Sequence, residues 1–257
     1  MANLLETIYT LWLREILRFV KSKSRVIGSG GQPLIWLAII GVGFGSAFTF
    51  AASGLSYITF MAPGIICMTL LFTSVFSGVN VIWDKQFGFM KEILVAPVPR
   101  FGIVLGKIAG STTVALINAI FILIIVVAAG VIPLSALSVI GVVSALVFMM
   151  LISSIFVAIG LIIASTIDNI EGFNVIINFL VLPVFFLSGA LFPISNVPLW
   201  MKALSAIDPL FYGVDGIRGS LIGVHANAIS IDLIAVLAIY VLFVTIADIA
   251  FRRMQSK

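Results

Sequence analysis

The sequence predicts an all-α membrane protein with six transmembrane helices, and two observations carry that prediction. Hydrophobic residues make up 62% of the 257 positions and charged residues only 9%, with a mean hydropathy of +1.30. Soluble domains carry about 45–50% apolar and about 25% charged residues, so there are too few charges to cover a water-soluble globule, and a disordered chain is excluded by the same numbers. The apolar residues also run continuously over stretches long enough to cross about 30 Å of hydrocarbon, which takes roughly 20 residues of helix. They do not alternate in the short segments of a barrel. The single cysteine, Cys67, lies inside an apolar run and has no partner for a disulfide within the chain.

Before the first span, Leu4–Arg25 reads as an interfacial helix. Arg14, Arg18, Lys21 and Arg25 recur on one helical face, while Leu5, Ile8, Trp12, Ile16 and Phe19 line another. A helix lying flat would place the apolar residues at the acyl boundary and the basic ones toward headgroups. The alternative is a plain basic flank that fixes orientation. No secretory signal is expected, because no basic region precedes a short apolar core and a small-residue cleavage site. Gly28, Gly30 and Gly31, followed by Pro33, are expected to break this helix.

The spans are expected at about Pro33–Phe50, Tyr57–Val81, Gly102–Ala129, Leu137–Ala164, Phe173–Phe192 and Ile231–Phe251. An even number puts both termini on one side. Twelve of the fourteen basic residues fall there and only Lys202 and Arg218 on the other, so the positive-inside rule makes that side and both termini cytoplasmic. The net charge of +4 then reports topology and inner-leaflet contact, and nucleic acid is not an expected partner. Asp168 and Glu171, in the loop after the fourth span, leave an anionic spot expected to pair with the N-terminal helix. Asn80, Asn118, Asn174 and Asn178 are the few amides within the spans, where such groups bond between helices. Gly102, Gly106 and Gly110 have the small-residue spacing of close helix packing. No buried chain of carboxylates or histidines suggests proton coupling.

Two segments between spans are informative. Trp83–Arg100 is too polar to cross the membrane and too apolar for a free loop. Asp84 is expected to cap a helix carrying Phe87, Met90, Ile93 and Leu94, stopped by Pro97 and Pro99. Its apolar face would seat in a groove on a soluble partner, or pack on lipid or its own bundle. On the other side, Ser195 or Asn196 is expected to cap a helix near Pro198 with Trp200 at interface depth, and Asp208 with Pro209 to start a second. Leu210, Val214, Ile217 and Leu221 share one face of that second helix, and Asp215 and Arg218 stand three apart, able to pair. The two helices would dip into the outer leaflet as a lid over an exit path, or merely shield span ends.

Glu92-Ile-Leu-Val-Ala-Pro-Val-Pro-Arg100, running on to Gly106-Lys107, resembles the cytoplasmic signature of ABC type-2 permeases of the daunorubicin-resistance-like branch. Leu191-Phe-Pro-Ile-Ser-Asn-Val-Pro-Leu-Trp200, Asp208-Pro-Leu-Phe-Tyr212 and Asp215-Gly-Ile-Arg218 resemble the run that precedes the last span in that family. The resemblance covers essentially the whole chain and implies a single transmembrane domain, 1–257. Within it, 1–31 would be the interfacial helix and turn, 82–101 the coupling segment and 193–224 an external re-entrant segment that includes Pro193 and Tyr212.

The implied function is a half-transporter. Two copies, identical or related, would pair with two cytoplasmic ABC ATPase subunits in the cell membrane and export a substrate. Asp84, Phe87, Met90, Glu92, Ile93, Leu94 and Pro97 would form the coupling helix, and Phe72, Phe76, Phe179, Phe185 and Phe186 would face a central pathway. Short external loops and an apolar interior suit an amphiphilic drug or lipid, and related permeases also move glycans. This chain is expected to bind no cofactor or metal, with ATP and magnesium held by the partner. Gly102-Ile-Val-Leu-Gly106-Lys107-Ile108 is one residue too short for a P-loop and carries isoleucine where the hydroxyl belongs. An integral-membrane enzyme or scaffold acting on lipids is the alternative; the only histidine, His225, offers no His-Glu-x-x-His pair.

Overall fold

In a computed structural model, which describes residues 3–43, 45, 56–90, 92 and 98–253, apolar periodicity resolves into helices and, among the described residues, no strand. They are α1 (Leu4–Lys21), α2 (Lys23–Gly43), α3 (Tyr57–Phe76), α4 (Gly78–Gln86), α5 (Arg100–Ala128), α6 (Val139–Thr166), α7 (Ile170–Leu187), α8 (Leu199–Ser205), α9 (Pro209–Ile222) and α10 (Ile229–Arg253). Short 3-10 turns occupy Leu134–Ala136 and Ile194–Asn196.

Among the described residues, five stretches are long and apolar enough to cross a membrane: Tyr57–Gln86, which joins α3 and α4, and the whole of α5, α6, α7 and α10. The first expected span is represented by a shorter apolar helix, Gly31–Gly43; Phe44 and residues 46–50 of that expectation lie outside the described residues. The break before it is misplaced. The chain turns at Ser22 (φ −99°, ψ 84°), and Gly28, Gly30, Gly31 and Pro33 all lie within α2. A glycine costs a helix only about 1 kcal/mol, and proline is tolerated in membrane helices. The fifth expected span ends early, at Leu187, because Gly189 adopts φ +73° and turns the chain before Phe192.

The core sits on α3–α4 and α6, whose apolar windows are 67% and 72% buried, against 22% for α7 and 17% for α10. Hence α7 and α10 form the periphery and turn their apolar residues outward, as helices facing lipid do. The N-terminal helix packs along the first turns of α5, in the same direction. Side chains added at Gly102, Gly106 and Gly110 would meet Leu4 at 3.0 Å, Leu11 at 2.8 Å and Glu15 at 2.7 Å, so the glycine triplet is the seat of α1. Trp12 Nε1 donates to Thr113 Oγ1 at 3.0 Å just beyond it.

The opposite end of the bundle is closed by α8 and α9. Asp208 caps α9, accepting Leu210 N–H at 2.8 Å, and Pro209 opens the helix. Leu210, Val214, Ile217 and Leu221 are all fully buried, on the face the spacing predicts. The first short helix differs from expectation: Pro198 is its N-cap, with no side-chain cap bond. Tyr57 Oη donates to Leu191 O at 3.0 Å and Thr59 Oγ1 to Val131 O at 2.9 Å, tying the start of α3 to the turns that follow α7 and α5.

Candidate functional site

The spacing of Arg14 and Arg18 puts both guanidinium groups on one face of α1, and the glycine seat brings that face against α4. There Arg14 Nη2 bonds Asp84 Oδ1 at 2.8 Å, Arg18 Nη2 bonds the same oxygen at 3.1 Å, and Lys107 Nζ of α5 bonds Oδ2 at 2.8 Å. Asp84 is fully buried and Lys107 nearly so. A buried charge is tolerated only when paired and hydrogen-bonded, and here one carboxylate is held by three cations from two other helices.

Glu15 extends the cluster. Its carboxylate accepts Asn80 Nδ2 at 3.3 Å and lies 3.8 Å from Arg18 Nη1. Lys85 Nζ, one residue beyond Asp84, donates to Asp168 Oδ1 at 3.0 Å and to the Ser165 and Ile167 carbonyls at 3.2 and 3.3 Å. Gln86 Nε2 donates to Asp168 O at 3.1 Å. These contacts join α1, α4, α5 and the α6–α7 loop at one end of the bundle.

Several expectations are corrected at this end. Asp84 is no cap: it lies inside α4, which ends at Gln86, and Gly88 at φ +80° turns the chain before helical residues resume at Phe89. That turn splits the expected common face, leaving Phe87 74% exposed while Met90 is 4% exposed. Glu92 is helical and exposed; Ile93, Leu94 and Pro97 lie outside the described residues. Arg14 also stacks over the Phe89 ring at 5.5 Å. Of the expected basic face, Arg14 and Arg18 therefore turn onto Asp84, whose buried charge needs paired partners, while Lys21 stays exposed. Among the described residues, Asp168 pairs with Lys85 and with no residue of α1.

At the opposite end Asp215 and Arg218 do not pair. Asp215 accepts the Ala226 and Asn227 amides at 2.7 and 2.8 Å. Arg218 donates to Phe60 O at 3.2 Å and Gly189 O at 2.9 Å, with its guanidinium 3.8 Å from the Phe60 ring centroid. Burial lowers the Arg218 pKa to about 10, with nearby Asp215 opposing the shift, so it remains cationic at neutral pH. Burial likewise raises Asp208 to about 8, against its bond from Leu210 N–H. Pro193, with Asp215 and Arg218, lines a cavity of about 240 Å³. Tyr212 Oη donates to Ala206 O at 2.8 Å, and Trp200 is exposed.

The five phenylalanines expected along a pathway do not share one surface. Phe72 and Phe76 stack with centroids 6.2 Å apart and planes 8° apart, half-buried beside a cavity. Phe179 is 85% exposed and Phe186 is exposed, whereas Phe185 is 1% exposed and belongs to the core. Consecutive helical positions point about 100° apart, which sets Phe185 toward the core and Phe186 toward the outside of α7.

Sequence reasoning missed the Asp84 cluster and the Glu15–Asn80 bond. Each charge is visible, but nothing in the spacing joins Arg14 to Asp84 seventy positions away; the glycine triplet indicates a close approach without naming the partner.

The sequence profile of the ABC-2 type transporter family matches residues 6–222. The chain is 28% identical over 221 residues to the transport permease ycf38 of Pyropia yezoensis, covering 84% of this chain and 74% of that protein. It is 24% identical over 246 residues to nodulation protein J of Rhizobium leguminosarum bv. viciae, covering 95% and 92%. To the inner membrane transport permease YadH of Escherichia coli (strain K12) it is 23% identical over 239 residues, covering 91% and 89%.

Proposed function

We propose, from the premise that this chain belongs to the ABC-2 type transporter family, that it is the permease subunit of an exporter driven by a separate ATPase. It is a multi-pass membrane protein of transport-permease type. The finer reading adds a cytoplasmic ABC ATPase pair, a second permease copy and outward movement of cargo. ATP and magnesium would be held by the ATPase, and this chain would hold neither.

The observation that carries the reading is the Asp84 cluster. The expected coupling segment, 82–101, begins within the last turns of α4 and runs into the first residues of α5, and Asp84 binds those two helices to each other and to α1. Pressure from a closing ATPase on exposed Phe87 and Glu92 would therefore move α1, α4 and α5 together, and through α4 the buried α3. Phe179 and Phe186 on the outward face of α7 would meet the second copy or the path between the copies. In this orientation α8 and α9 cap the outer end.

The test is co-expression with a candidate ATPase, co-purification, and ATP-driven transport in liposomes. Phe87→Ala with Glu92→Ala is expected to leave the permease folded and reduce coupled transport about tenfold or more, a hot-spot-sized loss. Transport that proceeds without nucleotide, or that ignores both substitutions, overturns the reading.

A further inference from the structure

The two peripheral helices, α7 and α10, bury only 22% and 17% of their apolar windows, so the polar bonds at their ends weigh heavily in how they are held. At the α8–α9 end one element pins both. Asp215 of α9 accepts the Ala226 and Asn227 amides just ahead of α10. Arg218, one turn along α9, donates to Gly189 O and Ala190 O in the turn that ends α7, at 2.9 and 3.4 Å, and to Phe60 O of α3 at 3.2 Å. Asp215 and Arg218 are both buried.

Opposite charges three residues apart on a helix are placed to pair, yet here each is spent on the backbone of another element. A buried charge that let go of those partners would be costly alone. A second partner is at hand, because rotation of the two side chains would bring carboxylate and guanidinium together. Both line the same cavity of about 240 Å³, which gives that movement room. The α9 backbone has no such room: a side chain at Gly213 or Gly216 would run into Ile152 or Phe148 of α6.

We propose that Asp215 and Arg218 are positioning residues that form a two-state latch. Engaged, they hold the ends of α7 and α10 on α9 and α3; released, they pair with each other and free both ends. Resting on the permease reading, release is the outward-opening step.

The test is hydrogen–deuterium exchange of the full chain in lipid nanodiscs, followed at the amides of 188–195. Arg218→Ala unpins the turn and should speed exchange there about tenfold or more, the weight of a hydrogen bond from a charged group. Millimolar guanidinium, which refills the carbonyl site, should reverse this, and urea, of the same shape without the charge, should not. Asp215→Asn keeps an oxygen for the Ala226 amide and removes the partner of the released state. It should therefore slow exchange at 188–195 about threefold, the weight of an ion pair, whereas a merely structural Asp215 would leave it unchanged or speed it. In ATP-driven transport the same variant should lower kcat by a similar factor with KM unchanged. Exchange that is unchanged or faster in Asp215→Asn overturns the proposal even where Arg218→Ala fails to fold, and so does rescue by urea as well as guanidinium. If exchange behaves as expected while no ATPase drives transport, the latch stands and the permease reading falls. If ATP drives transport but exchange ignores Asp215→Asn, the reverse holds.

Discussion

Asp84 shows what one side chain decides here. Truncating one partner of a buried ionic group costs about 3–5 kcal/mol, because the remaining charges stay buried and unpaired. Asp84→Ala leaves Lys107 in that position and is expected to lower the midpoint of thermal aggregation, read by size-exclusion chromatography after heating. Adding Lys107→Met should restore part of the loss, and a double variant no better than the single one would contradict the pairing. Asp208 gives a pH dependence whose sign follows from its environment. Burial raises its folded-state pKa to about 8, above the usual carboxylate value near 3.9, and its Oδ2 is buried without a hydrogen-bond partner. Between those values the folded state holds the extra proton, so the stabilising contribution is full below about pH 4 and is lost as pH rises through about 8. Melting measured from pH 6 to 9 should show stability falling in the parent. Asp208→Asn keeps an acceptor for Leu210 N–H and should flatten that slope; an unchanged slope would remove Asp208 as its source.

Among the elements, α1 depends on the absence of side chains on its neighbour. Gly106→Leu would drive a branched side chain into Leu11, where even a Cβ comes within 2.8 Å of the Leu11 Cβ. Overpacking of this kind costs about 1–3 kcal/mol, and displacing α1 also removes Arg14 and Arg18 from Asp84. Gly106→Leu should therefore lower stability and, combined with Asp84→Ala, lose less than the sum of the single effects. Strict additivity would mean that the seat and the ion cluster are independent. The same element marks the limit of what the sequence discloses. Long helices are legible because a continuous apolar run has few other solutions in a bilayer, and α9 is legible because Asp208-Pro209 and four apolar residues at helical spacing agree. The α1–α2 boundary is not, since three glycines and a proline read locally as a break that a membrane helix tolerates. Nor is the role of Asp84, because a carboxylate near a span end looks like a cap until a helix seventy residues away is brought against it. Phe185 and Phe186 are equally aromatic on paper, and only their 100° separation sends one to the core.

For the molecule as a whole, the two polar ends are built differently, and that difference is the physical argument for the expected orientation. At the end formed by α1, α4 and the start of α5, Arg14, Arg18 and Lys107 meet Asp84 and Glu15, which leaves one positive charge in the cluster itself. Lys85 and Arg100 lie at this end too, and α10, which starts beside Asp215 at the other end, runs 25 residues to deliver Arg252 and Arg253. At the far end Arg218 is buried against backbone carbonyls, so Lys202 is the cation left near the surface among the described residues. Even after the ion pairs are discounted, the excess of positive charge stays at the α1 end, and positive charge is retained on the cytoplasmic side. Cys67 is buried and so shielded from a polar maleimide, which lets single reporter cysteines be read on the parent chain. Phe87→Cys is expected to react with a membrane-impermeant maleimide only in inverted vesicles, and Ala228→Cys only in intact cells. The opposite pattern would place Phe87 and Glu92 outside, beyond reach of any nucleotide-driven partner, and the coupling reading would fall with the topology.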